Sequence, residues 1–387
     1  MSAGQSASPY GWRLATLKGV PVYLGRSWPI IAVVVVVLFA PGVVDPSTGE
    51  RGGTFGYVVG VAYALLLLLS VLAHEAAHAV VAARLGHRVD RVVADLWGGH
   101  TVYDGGLSRP GRSAAIAVAG PAANLALAGA AYAMLLVVPG GGVTSLLLAA
   151  VTYANVLVGV FNLLPGLPLD GGYVVDALVW KVTGSRHTGL IVAGWLGRIL
   201  TAVLVALVVG RPLLQGRTPS LYGIVWTGLI GAFLWVGASN AIRSGAGGRA
   251  VERVPLAQVL RPVAGVSGDE PLAQVLARMS GFAGLVVVWD RSGRPVGLVD
   301  REAARSADPH SVARGLPTSA VTALQPQGWV VAGDPHGDVS AIVDAVAGAS
   351  VAGSAVPPVV LVLDQQGRPL GSVTMDDLDT ALRTSGA

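Results

Sequence analysis

The amino-acid sequence predicts a mainly α-helical fold, a six-helix polytopic transmembrane bundle followed by a soluble α/β tail. Three observations predict it. Of the 387 residues, 53% are hydrophobic and only 12% charged, and the mean hydropathy of +0.64 exceeds what a soluble core of this length needs. The apolar residues gather in long runs before residue 250, separated by basic connectors. Beyond that point the composition returns to that of an ordinary soluble domain.

Residues 1–26 read as a cytoplasmic segment. With Pro9, Trp12, Arg13 and Lys18 they lack the short apolar core and small-residue cleavage site of a signal peptide. Six spans are expected at 27–44, 55–85, 113–138, 143–164, 189–210 and 221–241, which together make a membrane domain of 27–242. One side of these spans receives Arg13, Lys18, Arg26, Arg84, Arg88, Arg91, Arg109, Arg112, Lys181, Arg186, Arg243 and Arg249, and the other only Arg51, Arg211 and Arg217. The positive-inside rule then puts both termini in the cytoplasm of a multi-pass cell-membrane protein. The net charge of +4 sits mostly at span ends, so it marks topology in a lipid bilayer and no nucleic-acid partner is expected. The absence of cysteine excludes disulfides, thiolate metal sites and cysteine nucleophiles, leaving His, Asp and Glu as the strong metal ligands.

The second span carries His74-Glu75-Ala76-Ala77-His78, the only charged or imidazole side chains between residues 52 and 83. Positions i and i+4 share a helix face, so both imidazoles project together with Glu75 beside them, the arrangement that binds zinc and activates its water. Burying these groups in hydrocarbon costs several kcal/mol unless they coordinate or pair. Helical rise from Arg84 puts His74 about 15 Å below the cytoplasmic surface.

Residues 89–107 alternate and are rich in glycine, which suggests a hairpin dipping toward the bilayer. Its free edge either holds an extended substrate by strand addition or is an ordinary connector. His100 within it is the spare candidate for a metal ligand.

No charge occurs from Ser113 to Leu169, and the first to follow is Asp170, after Asn162, Pro165 and Pro168. Irregular backbone at that depth is tolerated only where it lines a cavity or packs in protein. Asp170 is therefore either the third zinc ligand or the N-cap of the next helix. Arg198, in the middle of the fifth span, is expected to pair internally with a carbonyl or with Asp176, or to contact substrate at a gate.

Residues 243–251, Gly-rich, read as a flexible linker to a tail at 252–387. Two similar strand-turn-strand blocks follow, one running through Asp290, Gly293 and Gly297 and the other through Asp364, Gly367 and Gly371.

The three motifs together resemble the site-2 protease family, peptidase family M50. They are His-Glu-x-x-His at His74–His78, Gly-x-x-x-Asn at Gly120–Asn124, and Asn-x-x-Pro-x-x-x-x-Asp-Gly at Asn162–Gly171. The tail blocks resemble tandem CBS repeats, about 252–308 and 315–385, as in the subgroup with C-terminal CBS domains. The resemblance implies an intramembrane zinc endopeptidase acting in regulated intramembrane proteolysis on transmembrane protein substrates. One Zn²⁺ per chain would be held by His74, His78 and Asp170, with Glu75 as general base and then proton donor. Asn124 and Asn162 are candidates for oxyanion stabilisation or for interhelical hydrogen bonding. Tyr173 stands where subgroup members often place arginine after Asp-Gly-Gly. In the second repeat Thr374 and Asp377 match a ribose-binding pattern, whereas Asp300 and Ala303 in the first do not. The tail therefore implies either an adenine nucleotide at one site or a ligand-free module for homodimerisation or substrate docking. A metal-binding or nucleotide-gated transporter or channel is the alternative reading, and it leaves Glu75 unexplained. A proteolytically inactive scaffold is disfavoured because the ligands and base are all present.

Overall fold

A computed structural model describes residues 11–385 except 18, 46–47, 95–99, 104–108 and 352–353, and it leaves undescribed the side chains of 17, 100–103 and 351. The chain divides into two units, Met1–Gly245 and Ala246–Ala387.

The first unit opens with strands β1 (Trp12–Leu17) and β2 (Val20–Leu24), a hairpin the hydropathy pattern does not announce. Helix α1 (Trp28–Phe39) follows and ends in a 3₁₀ turn at Ala40–Gly42, where Pro41 and Gly42 interrupt the apolar run. Helix α2 (Gly53–Arg84) leads to strands β3 (Val89–Ala94) and β4 (His100–Tyr103). The four strands form one sheet in the order β1-β2-β3-β4, with β2 and β3 parallel. Both β3 and β4 lie against α2. The helices α3 (Pro110–Leu135), α4 (Val143–Asn162), α5 (Asp170–Thr183), α6 (Arg186–Leu214) and α7 (Leu221–Glu252) complete the unit.

This is a membrane protein in which, among the described residues, five helices, α2, α3, α4, α6 and α7, are long and apolar enough to cross a bilayer. The expected count of six is not confirmed at the first span by helix length alone. Its 12-residue helix is about 18 Å long, short of the roughly 30 Å hydrocarbon core. Helix α3 sits centrally, packed on α2, α4 and α5. Small buried residues such as Ala64 and Ala82 on α2 and Ala117, Ala128 and Ala131 on α3 let these backbones approach, the usual device where lipid supplies no hydrophobic drive between helices. Large apolar residues such as Leu65, Leu69 and Val137 stay exposed, as a lipid-facing surface requires.

The expected flexible linker is also corrected, since helix α7 runs through residues 243–251 to Glu252. Gly245 is there for close packing, because a Cβ on it would lie 2.7 Å from the His187 carbonyl oxygen and 2.8 Å from Ile191 Cγ1. That contact needs a small residue in a helix, and coil is not required.

The second unit holds two sheets of matching design. Strands β5 (Val263–Ser267), β6 (Leu285–Trp289) and β7 (Pro295–Val299) pair parallel and then antiparallel. After β8 (Thr322–Leu324), strands β9 (Val330–Ala332), β10 (Val359–Leu363) and β11 (Pro369–Thr374) repeat the pattern. Both hairpins turn on the same chemistry. Asp290 Oδ1 accepts from the amides of Ser292 and Arg294, Asp364 Oδ1 accepts from those of Gln366 and Arg368, and Gly293 and Gly367 take φ of 78° and 77°. The expected boundary between repeats moves. β8 joins the first sheet beside β7, while Arg261 pairs with Ser372, and Val254, Leu256 and Val259 pack in the second core.

Candidate metal centre

His74 and His78 lie on one face of α2, both buried, and Asp170 is brought to them by α5. Asp170 is the first residue of that helix, and Leu169 occupies the cap position without a side-chain bond, so the N-cap alternative falls away. Asp170 Oδ2 is 3.2 Å from His74 Nε2, Oδ1 is 3.5 Å from His78 Nε2, and the two Nε2 atoms are 3.1 Å apart. Zinc bonds of about 2.0–2.1 Å in a tetrahedron separate their ligands by about 3.3 Å, so the two imidazoles and the carboxylate stand at the spacing of zinc ligands.

The orientation of the rings decides what faces that point. His78 Nδ1 is 2.7 Å from the Ile116 carbonyl oxygen, an acceptor only, so its hydrogen sits on Nδ1. His74 Nδ1 is 2.5 Å from Asn124 Oδ1 and is fixed the same way. Each Nε2 then presents a lone pair toward a carboxylate and toward the other ring, a repulsive arrangement that a cation at the centre relieves. Gly120 on α3 keeps the space open, because a Cβ there would overlap the Nε2 atoms of both histidines. The N/O donor set, the spacing and the cradle all fit zinc.

Glu75 is buried next to this cluster, with Oε1 4.0 Å from His74 Nε2. Of the two asparagines marked by the sequence, Asn124 has both ends of its amide engaged, Oδ1 with His74 and Nδ2 with Asn155 Oδ1 at 2.8 Å. Its geometry is therefore that of a ring-orienting partner and of an interhelical hydrogen bond, the second of the two roles expected for it. Asn162 ends α4, half-buried, at the start of the segment that leads to Asp170. The side chain of His100 lies outside the described residues, as do residues 95–99 and 104–108.

The segment 163–169 reaches its depth by packing on α6 and α7. Leu167 N donates to the Ala193 carbonyl at 3.1 Å, a Cβ on Gly197 would overlap the Leu167 carbonyl oxygen, and Pro168 rests against Gly237. Irregular backbone is thus enclosed by protein, which aims Asp170 at α2. Arg198, expected to meet Asp176 or a carbonyl, instead lies between the rings of Trp195 and Trp235, 4.9 Å from each centroid, and donates to Ser239 Oγ at 3.1 Å. Asp176 faces Arg186, at 3.8 Å.

In the tail, Thr374 and Asp377 come together as the pattern implies, with Thr374 Oγ1 donating to Asp377 Oδ2 at 2.6 Å. Arg261 also grips both carboxylate oxygens, at 2.5 and 2.7 Å. That guanidinium first, and Thr374 second, hold the Asp377 carboxyl below the usual carboxylate range. Asp300 caps the helix Arg301–Ser306, accepting from the amides of Glu302 and Ala303.

Sequence reasoning did not single out Asn155, bonded to Asn124, or Ser70 behind it, and it named Gly120 only as part of a motif, without its role as cradle. The signal for the first two was their polarity within apolar spans.

The resemblance to peptidase family M50 with CBS domains is borne out. The peptidase family M50 profile matches residues 140–207 and the CBS domain profile residues 256–309. Rip3 of Mycobacterium tuberculosis, which its name calls a zinc metalloprotease, is 35% identical over 215 residues, 54% of each chain. The similarly named sll0528 of Synechocystis is 33% identical over 236 residues, 60% of each chain. The chain thus spans little more than half the length of the curated relatives it matches. The site-2 protease from Methanocaldococcus jannaschii, at 22% identity, covers 60% of this chain and 96% of its own with a TM-score of 0.42, a likeness too loose to bear on function.

Proposed function

We propose that this relative of the M50 metalloproteases is an intramembrane zinc endopeptidase that cleaves transmembrane segments of membrane proteins. The observation that carries the reading is the convergence of His74 Nε2, His78 Nε2 and Asp170 on one point inside apolar helices, with Glu75 beside it. Zinc held by these three residues would supply a Lewis acid and lower the pKa of a bound water. Glu75 takes a proton from the attacking water and returns it to the leaving amide nitrogen, a role that needs an acid-base group within one water of the scissile bond. Asn162 is the amide left to meet a developing oxyanion, since Asn124 is engaged with His74. A substrate helix has its amides hydrogen-bonded internally and must unwind before attack, so substrates carry helix-weakening residues near the cleaved bond.

Both termini lie in the cytoplasm in this reading. Helix α1 is short, yet it joins β2, paired to β3 beyond the C-terminal end of α2, to Val43, whose carbonyl accepts from Gly52 N at the N-terminal end of α2. Strand β2 and α1 together thus make the first crossing. The CBS tail is assigned as the regulatory module of the enzyme, with an adenine nucleotide as its input and homodimerisation as its alternative role.

The test is Glu75→Gln in the full-length protein. Loss of cleavage of a model transmembrane substrate with zinc retained supports an endopeptidase, and retained cleavage rules out the base. The same variant, expressed in the native host, should trap substrates for identification.

A further inference from the structure

We infer that Asn155, backed by Ser70, is a positioning residue that fixes the tautomer of His74 through Asn124. The inference rests on reading His74 as a zinc ligand. None of the three family motifs includes either residue.

A chain of hydrogen bonds leads from fixed acceptors to the ring. Asn155 Nδ2 donates to the Val151 carbonyl at 2.9 Å and to Ser70 Oγ at 3.0 Å. The Ser70 hydroxyl gives its own hydrogen to the Leu66 carbonyl at 3.0 Å, so only a lone pair faces Asn155. Both neighbours of that nitrogen are acceptors, and turning the Asn155 amide over would set oxygen against oxygen in a buried site. Asn155 Oδ1 is therefore held toward Asn124 and accepts from its Nδ2 at 2.8 Å. That bond in turn points Asn124 Oδ1 at His74 Nδ1. A ring with its hydrogen on Nδ1 keeps its lone pair on Nε2, the atom 3.2 Å from Asp170.

The ligating face of His74 is thus set by two backbone carbonyls, those of Leu66 on α2 and Val151 on α4. His78 needs no such relay, because the Ile116 carbonyl meets its Nδ1 directly. Ser70, Asn124 and Asn155 are all buried, so no bulk solvent substitutes for a missing member.

Plain interhelical adhesion of α2, α3 and α4 is the competing role, and it makes a different forecast. Zinc affinity is measured by chelator competition on the full-length protein, wild type, Asn124→Ala, Asn155→Ala and the double variant, together with the visible spectrum of the Co²⁺-substituted forms. The expected result is on the order of a 10–100-fold loss of affinity for Asn155→Ala with an altered Co²⁺ spectrum. The double variant should be no weaker than Asn124→Ala alone, since Asn155 acts through Asn124. An unchanged affinity and spectrum in Asn155→Ala, or losses that simply add, would overturn the relay. Should Asn155→Ala fail to accumulate, Ser70→Ala decides, with a few-fold loss expected and an unchanged affinity overturning the relay. A wild-type protein that takes up no zinc would instead sink the reading of His74 as a ligand.

Discussion

A methyl group on Gly120 would occupy the space in front of His78 Nε2, so helix α3 contributes an absence of side chain to the metal centre. The third helix therefore shapes the centre at two positions of one motif, Gly120 as cradle and Asn124 as ring partner. Gly120→Ala is expected to lower zinc affinity on the order of tenfold or more, the scale seen when a site's supporting shell is disturbed. Chelator competition on the purified variant measures it, and wild-type affinity would show that the helices can part enough to admit the methyl.

Gly197 and Leu167 make the corresponding contact for the carboxylate arm. Gly197→Ala drives a Cβ into the Leu167 carbonyl oxygen, and overpacking of this kind costs about 1–3 kcal/mol. Thermal unfolding should start earlier and zinc content should fall, because the displaced segment carries Asp170. A variant with unchanged unfolding and full zinc would mean that the segment does not depend on this contact.

Topology reporters test the crossing assigned to β2 and α1. Fusions after Arg249 and within the loop holding Glu50 should report opposite compartments. Identical signals would mean that the connection from β2 to α2 stays on one side of the bilayer.

In the tail, Arg261 holds both oxygens of the carboxylate that a ribose would need. Calorimetry with AMP and ATP on the full-length protein should find tighter binding in Arg261→Ala than in wild type, and none in Asp377→Ala. If Arg261→Ala binds neither nucleotide, the pair serves only to hold the segment before β5 against the second sheet, and the nucleotide input is wrong.

How much of this was legible in the sequence follows from cost. His74, Glu75, His78 and Asp170 stood out because charge inside an apolar run is expensive, and structure brings all four together. The tail hairpins were legible from Asp290, Gly293, Asp364 and Gly367, whose turn chemistry is local. Residues 12–24 were not, because a two-stranded hairpin gains its pairing from β3, far along the chain. The glycines near Gly245 were read as flexibility, whereas packing on His187 and Ile191 overrides their low helix propensity. Arg198 announced that it needed a partner, but Trp195 and Trp235 reach it through the crossing of α6 and α7, which no local pattern encodes.

The most direct measurement is the zinc content of the purified full-length protein and of its Asp170→Ala variant. One zinc per chain in the wild type, with little retained in the variant, is the outcome expected of a centre built from His74, His78 and Asp170. Full zinc occupancy in Asp170→Ala, or none in the wild type, would contradict it.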